Sequence, residues 1–362
     1  MSAADDPRAG DAVSTADTHT SAAGGDVSTK DESAAAEPLL EVEDLHVEFR
    51  TRDGVANVLN GVSYQVGAGE TLAVLGESGS GKSVAAQAVM GILDSPPGFV
   101  TGGSVRYRGR ELLTAEAEQR RRLRGDSVAM IFQDALSALN PVYTVGFQIS
   151  EQLRVRRGTS RKQAAARAVE LLDMVRIPNA KQRAKEFPHQ FSGGMRQRAM
   201  IAMSLALDPE LLIADEPTTA LDVTVQAQIM DLLDELRRER GMGLVLNTHD
   251  LGVVAEVADR IAVMYAGRVV EFADAPALYR RPGHPYTEGL MRSVPRLDLK
   301  GQDLGTIRGL PPNPMAIPAG CPFHPRCDRA TSECSEHVPS YHDLGPGRAS
   351  ACHFAEELIT RG

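Results

Sequence analysis

Apolar positions between residues 39 and 272 form short runs that alternate with longer amphipathic stretches. Residues 40–49 alternate apolar with acidic side chains, which predicts a half-buried strand that ends at a turn over Asp53 and Gly54. Further strands are predicted at 62–66, 71–75, 104–107, 128–132, 211–215, 243–247, 261–265 and 268–272. Apolar residues at helical spacing predict helices at 84–91, 161–175, 192–207 and 223–240. Buried strands that alternate with helices are typical of a parallel α/β sheet.

The composition changes at both ends of this patterned region. Residues 1–37 are rich in Ala, Ser, Thr, Asp and Gly, and such a segment is predicted to be a disordered acidic tail. Seven prolines lie between residue 281 and Cys321, which disfavours long helices and central strands. We therefore predict an ordered domain over 38–280, a helical insertion over about 134–207, and a loop-rich C-terminal extension over 281–362.

Charge, composition and the length of the apolar runs exclude some classes of function for this chain. The chain of 362 residues has a formal net charge of −9 and only 4% aromatic residues, which argues against a nucleic-acid partner. Its sequence has no run approaching the roughly 18 apolar residues of a membrane span, and its N-terminus lacks a secretory signal. We expect a cytosolic chain whose cysteines stay reduced unless they bind a metal.

A glycine-rich loop follows the predicted strand 71–75 and precedes a predicted helix. Its residues match the pattern G-x-x-x-x-G-K-[ST]: Gly76, Glu77, Ser78, Gly79, Ser80, Gly81, Lys82 and Ser83, with Val84 next in the helix. Glycines let backbone N–H groups approach phosphate oxygens, and the helix N-terminus adds its positive dipole end. Lys82 can reach the β- and γ-phosphates, and the Ser83 hydroxyl can bind Mg²⁺.

Polar residues at the ends of three other predicted strands could complete such a site. Asp215 and Glu216 follow a buried strand, where one acid can hold Mg²⁺ and the other can polarise a water molecule. Gln133 ends the strand at 128–132 and could reach the metal or the water. His249 closes the strand at 243–247, although a single histidine is more often structural.

Taken in order and spacing, these residues resemble the ABC-transporter ATPases. The resemblance covers about 39–272 and includes the segments 191–195 (FSGGM) and 220–222 (ALD). It implies a nucleotide core with an antiparallel β-subdomain and an α-helical subdomain. The family's signature motif reads FSGGM here rather than LSGGQ, and Thr219 replaces the serine that usually precedes the ALD segment. Neither change removes a group that contacts phosphate.

The resemblance also implies the role of each candidate residue. Phe49 would stack on adenine, and Ser83, Gln133 and Asp215 would surround Mg²⁺. Glu216 would act on the attacking water, and His249 would contact the γ-phosphate. The γ-phosphate of the nucleotide held by the facing subunit would be bound by Ser192, Gly193 and Gly194. Asp222, in the ALD segment, would also belong to the nucleotide-binding residues. Because Glu216 and His249 are both present, we expect this chain to hydrolyse ATP.

Four further segments resemble the ATP-binding subunits of oligopeptide/dipeptide importers: 134–146, 283–287 (GHPYT), 308–312 and 321–327 (CPFHPRC). This resemblance implies a second homologous ATPase subunit, two membrane permeases, an extracytoplasmic solute-binding protein and a peripheral location at the cytoplasmic face of the membrane. An importer of nickel or another small solute stays open. A soluble ABC ATPase would usually bring a second cassette, a coiled-coil insert or a basic surface, and a P-loop kinase would lack the 192–194 motif.

The cysteines of the chain are confined to its last 42 residues, at Cys321, Cys327, Cys334 and Cys352. Two disulfides are disfavoured in a reducing cytosol, whereas a metal could tie the loops of a proline-rich segment together. Zinc, an iron–sulfur cluster and no metal all stay open, although the spacings lack the short pairs usual for zinc. The resemblance to importer ATPases favours a [4Fe–4S] cluster. We expect His324, His337 and His353 to lie near it or at the surface.

Overall fold

The computed structural model describes residues 37–219, 221–293 and 305–360. These residues belong to one compact unit that begins at Glu37. The predicted acidic tail lies outside the described residues, apart from Glu37, and stays a prediction. No helix in the described ranges combines the length and apolar character that crossing a bilayer requires.

The strands form two sheets within the described residues. Their bounds are β1 Leu40–Thr51, β2 Gly54–Val66, β3 Thr71–Leu75, β4 Gly98–Tyr107, β5 Arg110–Glu111, β6 Val128–Ile131, β7 Leu211–Asp215, β8 Gly243–Thr248, β9 Arg260–Tyr265, β10 Arg268–Asp274, β11 His342–Asp343 and β12 Ala349–Ser350. The larger sheet has the order β11-β12-β10-β9-β3-β8-β7-β6, and β9, β3, β8, β7 and β6 pair in parallel. The smaller sheet, β2-β1-β4-β5, is antiparallel.

The helices of the described residues pack on both faces of the larger sheet. Their bounds are α1 Lys82–Met90, α2 Ala117–Asp126, α3 Ala135–Ala138, α4 Val145–Arg157, α5 Arg161–Met174, α6 Ala180–Arg183, α7 Gly193–Ser204, α8 Val223–Arg240, α9 Leu251–Val257, α10 Ala275–Arg280, α11 Pro285–Arg292, α12 Ser332–Glu336 and α13 Ala355–Thr360. Helices α3 to α7 occupy the interval between β6 and β7, where the sequence predicts a helical insertion.

The larger sheet is covered on both faces, as expected for parallel strands. Alternate residues of β7 show this: Leu212 and Ala214 join the core beneath the helical insertion, whereas Leu211 and Ile213 join the core beneath the antiparallel sheet. Because both faces are buried, the strand consists entirely of buried residues and carries no alternating pattern. The predicted α/β class and its antiparallel subdomain are confirmed.

The C-terminal extension joins the larger sheet and a third core. Strand β12 pairs antiparallel with β10, and the rings of Tyr265, Tyr286 and Phe323 pack together with centroids 4.7–5.3 Å apart. The predicted boundary near residue 280 stays a prediction, but the chain on its two sides shares a sheet and a core.

The GHPYT segment anchors this extension. The Gly283 N–H donates to Oε1 of buried Glu271 at 2.6 Å, and the Ser350 hydroxyl donates to the Gly283 carbonyl at 2.8 Å. The His284 Nδ1 accepts from the Tyr286 N–H at 3.0 Å and so caps helix α11. Burial lowers the pKa of His284 to about 3, so this imidazole is neutral at physiological pH.

Candidate nucleotide-binding site

Strand β3, buried along its whole length, leads into the phosphate loop, and helix α1 begins at Lys82. Two of the loop glycines are required by close packing. A Cβ at Gly76 would lie 2.4 Å from the Met264 carbonyl oxygen, and Gly81 has a φ of 106° with a side chain of Leu59 only 2.7 Å from the Cβ position. The loop therefore adopts a conformation that other residues would strain.

Lys82 lies at the centre of the loop with only 4% of its side chain exposed. Its Nζ donates to the Gly76 carbonyl at 2.7 Å and to the Glu77 carbonyl at 3.2 Å, and lies 3.7 Å from Glu216 Oε1. Burial lowers the pKa of Lys82, whereas the carboxylates of Glu216 and Asp215 raise it. A buried ammonium inside a ring of backbone groups is suited to binding phosphate oxygens.

Ser83 and Asp215 meet as the sequence predicts for a magnesium site. The Ser83 hydroxyl donates to Asp215 Oδ1 at 3.0 Å, which brings a hydroxyl and a carboxylate together beside the loop. Such oxygen atoms are the ligands that Mg²⁺ prefers, so the residues present fit the ion. Asn247 orients the carboxylate, because its Nδ2 donates to Asp215 Oδ1 at 2.9 Å and to the Lys82 carbonyl at 3.1 Å.

The carboxylate of Glu216, whose side chain is 13% exposed, contacts two further candidate residues, Gln133 and His249. Its Oε2 accepts from Gln133 Nε2 at 3.1 Å and from the Thr219 hydroxyl at 2.9 Å, and lies 3.5 Å from His249 Nδ1. Glu216 has a φ of 46°, a left-handed conformation that is uncommon for residues other than glycine. The structure thus brings Lys82, Gln133, Glu216 and His249 together.

These residues line a cavity of about 590 Å³. Its walls include the loop residues from Gly76 to Val84, together with Gln133, Glu216 and His249. The C-terminal extension contributes Leu290, Ser293, Thr306 and Ile307 to the wall. Sequence reasoning missed these four residues because no motif or periodicity connects them with the loop. It also missed Asn247, whose signal was an amide near the end of an otherwise apolar strand.

Other predicted site residues lie outside the described lining of this cavity. Phe49 is half-buried on β1 against the core beneath the antiparallel sheet, while Val58 of β2 lines the cavity. Ser192 and Gly193 are exposed where helix α7 begins, and the Ser192 hydroxyl accepts from the Met195 N–H at 3.3 Å. Asp222 caps helix α8. Their predicted nucleotide contacts stay predictions.

Comparisons with known proteins identify the family. A family model described as ABC transporter matches residues 59–219, and one described as Oligopeptide/dipeptide transporter, C-terminal region, matches residues 270–334. The chain is 50% identical over 325 residues to the oligopeptide transport ATP-binding protein OppD of Salmonella typhimurium, covering 90% of this chain and 96% of that protein. This chain is an ABC-transporter ATPase of the oligopeptide/dipeptide transporter family. The family and the ATP-hydrolysing activity that the sequence predicts are confirmed.

A further relative and a solved structure support the same family assignment. OppD of Escherichia coli is 49% identical over 325 residues, with 90% of this chain and 96% of that protein covered. A solved structure titled as the dimeric post-hydrolysis state of the ATP-binding cassette MJ0796, bound to ADP and Pi, superposes with a TM-score of 0.59 at 29% identity. The superposition covers 65% of this chain and 98% of that chain.

The four cysteines lie in one neighbourhood of the extension. The Cys321 N–H donates to the Cys334 carbonyl at 2.8 Å. Burial, with smaller contributions from the nearby thiols of Cys321, Cys327 and Cys334, raises the pKa of Cys352 to about 12. Among the described residues, however, no group of three or more His, Cys, Asp or Glu side chains is arranged to hold a metal ion. The thiols suit a soft metal chemically, but their placement does not form a ligand set.

The histidines of the extension contact backbone groups. His324 Nδ1 lies 2.9 Å from the Cys321 carbonyl oxygen, and His353 Nε2 lies 3.1 Å from the His337 carbonyl oxygen. These contacts place His324 beside a cysteine without making it part of a metal-binding group among the described residues.

Proposed function

We propose that this ABC ATPase drives the import of dipeptides or oligopeptides through a membrane permease complex. The observation that carries the proposal is the match of residues 270–334 to the C-terminal region of oligopeptide/dipeptide transporters. That region contributes Leu290, Ser293, Thr306 and Ile307 to the wall of the nucleotide cavity, so the segment that distinguishes the class is part of the ATP site. The relatives named for oligopeptide transport support the same solute class.

Each residue of the site has a separate role in ATP hydrolysis in this proposal. Lys82 and the loop N–H groups bind the β- and γ-phosphates, and Ser83 and Asp215 hold Mg²⁺, with Gln133 beside them. Mg²⁺ supplies charge neutralisation at the phosphates. Glu216 orients and polarises the attacking water, and its contacts to Gln133, Thr219 and His249 fix its carboxylate. His249, with 60% of its side chain exposed, can turn toward the γ-phosphate.

The partners in this proposal are a second homologous ATPase subunit, two permeases and an extracytoplasmic solute-binding protein. The exposed start of helix α7 supports the shared site, because Ser192 and Gly193 are accessible to a facing subunit. A capped helix N-terminus with two glycines suits a γ-phosphate. We propose a heterodimeric ATPase pair that lies peripherally at the cytoplasmic face of the membrane.

Stimulation of ATP turnover tests the solute class. The complete transporter is reconstituted in liposomes with its solute-binding protein, and ATPase rates are compared with no solute, with a mixture of di- and oligopeptides, and with Ni²⁺. The proposal predicts stimulation by the peptides alone. Stimulation by Ni²⁺ without any response to peptides would contradict it and favour the nickel-importing alternative.

We also propose that the four cysteines bind a [4Fe–4S] cluster, with zinc as the alternative metal. Support comes from their common neighbourhood, and ligation would require the cysteine side chains to rearrange into a ligand set. Iron, sulfide and zinc are measured after anaerobic purification of the full chain and of Cys327→Ser. About four irons per chain with matching sulfide, lost in Cys327→Ser, are expected for a cluster held by four cysteines. Stoichiometric zinc without sulfide, or no metal at all, would contradict the cluster.

A further inference from the structure

An arginine of the C-terminal extension forms an ion pair with the phosphate loop. Arg326, between Cys321 and Cys327, donates from Nη1 to Glu77 Oε2 at 2.6 Å and from Nη2 to Glu77 Oε1 at 3.0 Å. Glu77 is the second residue of the loop, 249 positions earlier in the chain. Only 5% of the Arg326 side chain is exposed, so the two-pronged ion pair is largely shielded from water.

Several contacts hold the guanidinium in place. The Arg326 Nε donates to the Arg308 carbonyl at 3.0 Å, and its guanidinium carbon lies 5.7 Å from the centre of the Tyr265 ring. The extension also contacts the backbone of Glu77, whose N–H donates to the Tyr286 hydroxyl at 2.9 Å. The extension therefore binds both the side chain and the backbone of Glu77.

We propose that Arg326 is a positioning residue for ATP binding, which fixes the phosphate loop through Glu77 and cancels the negative charge of that carboxylate. The inference deepens the ATP-binding role of the loop and depends on ATP occupying it. It does not depend on the solute that the transporter moves.

The charges determine whether loss of Arg326 should weaken or strengthen ATP binding. A bound triphosphate is strongly negative, and Glu77 belongs to the wall of the same cavity. Without Arg326 the charge of the Glu77 carboxylate is uncompensated, and we expect repulsion between like charges to weaken ATP binding by about tenfold. Removal of Glu77 together with Arg326 takes that repulsion away. The two substitutions must therefore be strongly non-additive.

The experiment measures the dissociation constant of a fluorescent ATP analogue for the purified full chain. Arg326→Ala is expected to weaken binding about tenfold, and Glu77→Ala with Arg326→Ala is expected to recover most of that loss. Arg326→Lys keeps the charge without the two-pronged geometry and should fall between wild type and Arg326→Ala. Arg329→Ala is the matched control, because Arg329 lies in the same segment but pairs with Glu288 at 3.2 Å.

Three results would overturn the inference. One is unchanged affinity in Arg326→Ala; another is an equal loss in Arg329→Ala; the third is a double variant at least as weak as Arg326→Ala. Circular dichroism and thermal unfolding check that each variant is folded, and if Arg326→Ala is not, Arg326→Lys and its combination with Glu77→Gln decide by the same criteria. Lys82→Ala must lose binding in this assay, so an error about the ATP site is distinguished from an error about Arg326.

Discussion

The pH dependence of stability provides a test of how the C-terminal extension is attached. Glu271 is fully buried on β10, where Oε1 accepts from the Gly283 N–H and Oε2 has no hydrogen-bond partner in the described structure. Burial raises the pKa of Glu271 from 4.5 to about 7, even though Thr287, Gly283 and the Arg348 guanidinium at 3.8 Å favour the charged form. The folded protein therefore prefers the protonated acid.

The direction of the effect follows from that preference. A group whose pKa is higher in the folded state contributes stability that is fully present below about pH 4.5 and is lost as the pH rises through about 7. A rise of this size corresponds to about 3 kcal/mol. Glu271→Gln keeps an oxygen that can accept from the Gly283 N–H but cannot ionise. Its free energy of unfolding should therefore exceed that of the wild type by about 3 kcal/mol at pH 8 and match it near pH 4.5.

Urea unfolding of the full chain between pH 4.5 and pH 8 measures this difference. Glu239→Gln is the matched control, because Glu239 is exposed at the end of α8 and its replacement should leave the pH profile unchanged. A difference between Glu271→Gln and wild type that stays constant with pH would refute the reasoning, since burial of an ionisable group could then not be its cause.

Three further predictions concern the nucleotide site. Lys82→Ala should weaken binding of a fluorescent ATP analogue by about tenfold or more, because charge-assisted contacts to phosphate are lost; unchanged affinity would contradict the assignment. Asn247→Ala should raise the Mg²⁺ concentration for half-maximal ATP turnover about tenfold, because Asp215 loses the group that orients it, and an unchanged Mg²⁺ requirement would show that Asn247 has no such role. Ser192→Arg should abolish turnover of the assembled transporter while the chain still binds ATP in titration; loss of binding by the isolated chain would exclude a site shared between subunits.

The sequence allowed the core of the fold to be predicted because its signals are local. Buried strands such as β3 and β7 are continuous apolar runs, and the phosphate loop has a fixed spacing. Helix α2 was missed because it buries none of its residues and therefore has no apolar stripe. Its position is fixed by helix α4, because Arg156 donates to the carbonyls of Arg121, Arg122 and Arg124.

The parts of the site that could not be predicted are formed by long-range contacts. The Arg326–Glu77 pair joins residues that no periodicity or motif links, and neither residue type is unusual in its own segment. The same holds for Thr306 and Ile307 in the cavity wall. Residue types at strand ends were sufficient for Asp215 and Glu216, because parallel strands bring their carboxyl ends to one edge of the sheet.

Coupled measurement of ATP turnover and peptide uptake in liposomes that contain the complete transporter tests the central claim most directly. Glu216→Gln removes the carboxylate that orients the attacking water, so turnover should fall by about 10²–10⁴-fold and uptake should fall with it. ATP binding should persist, because the loop, Lys82 and Ser83 are unchanged. Turnover and uptake close to those of the wild type in Glu216→Gln would contradict the account.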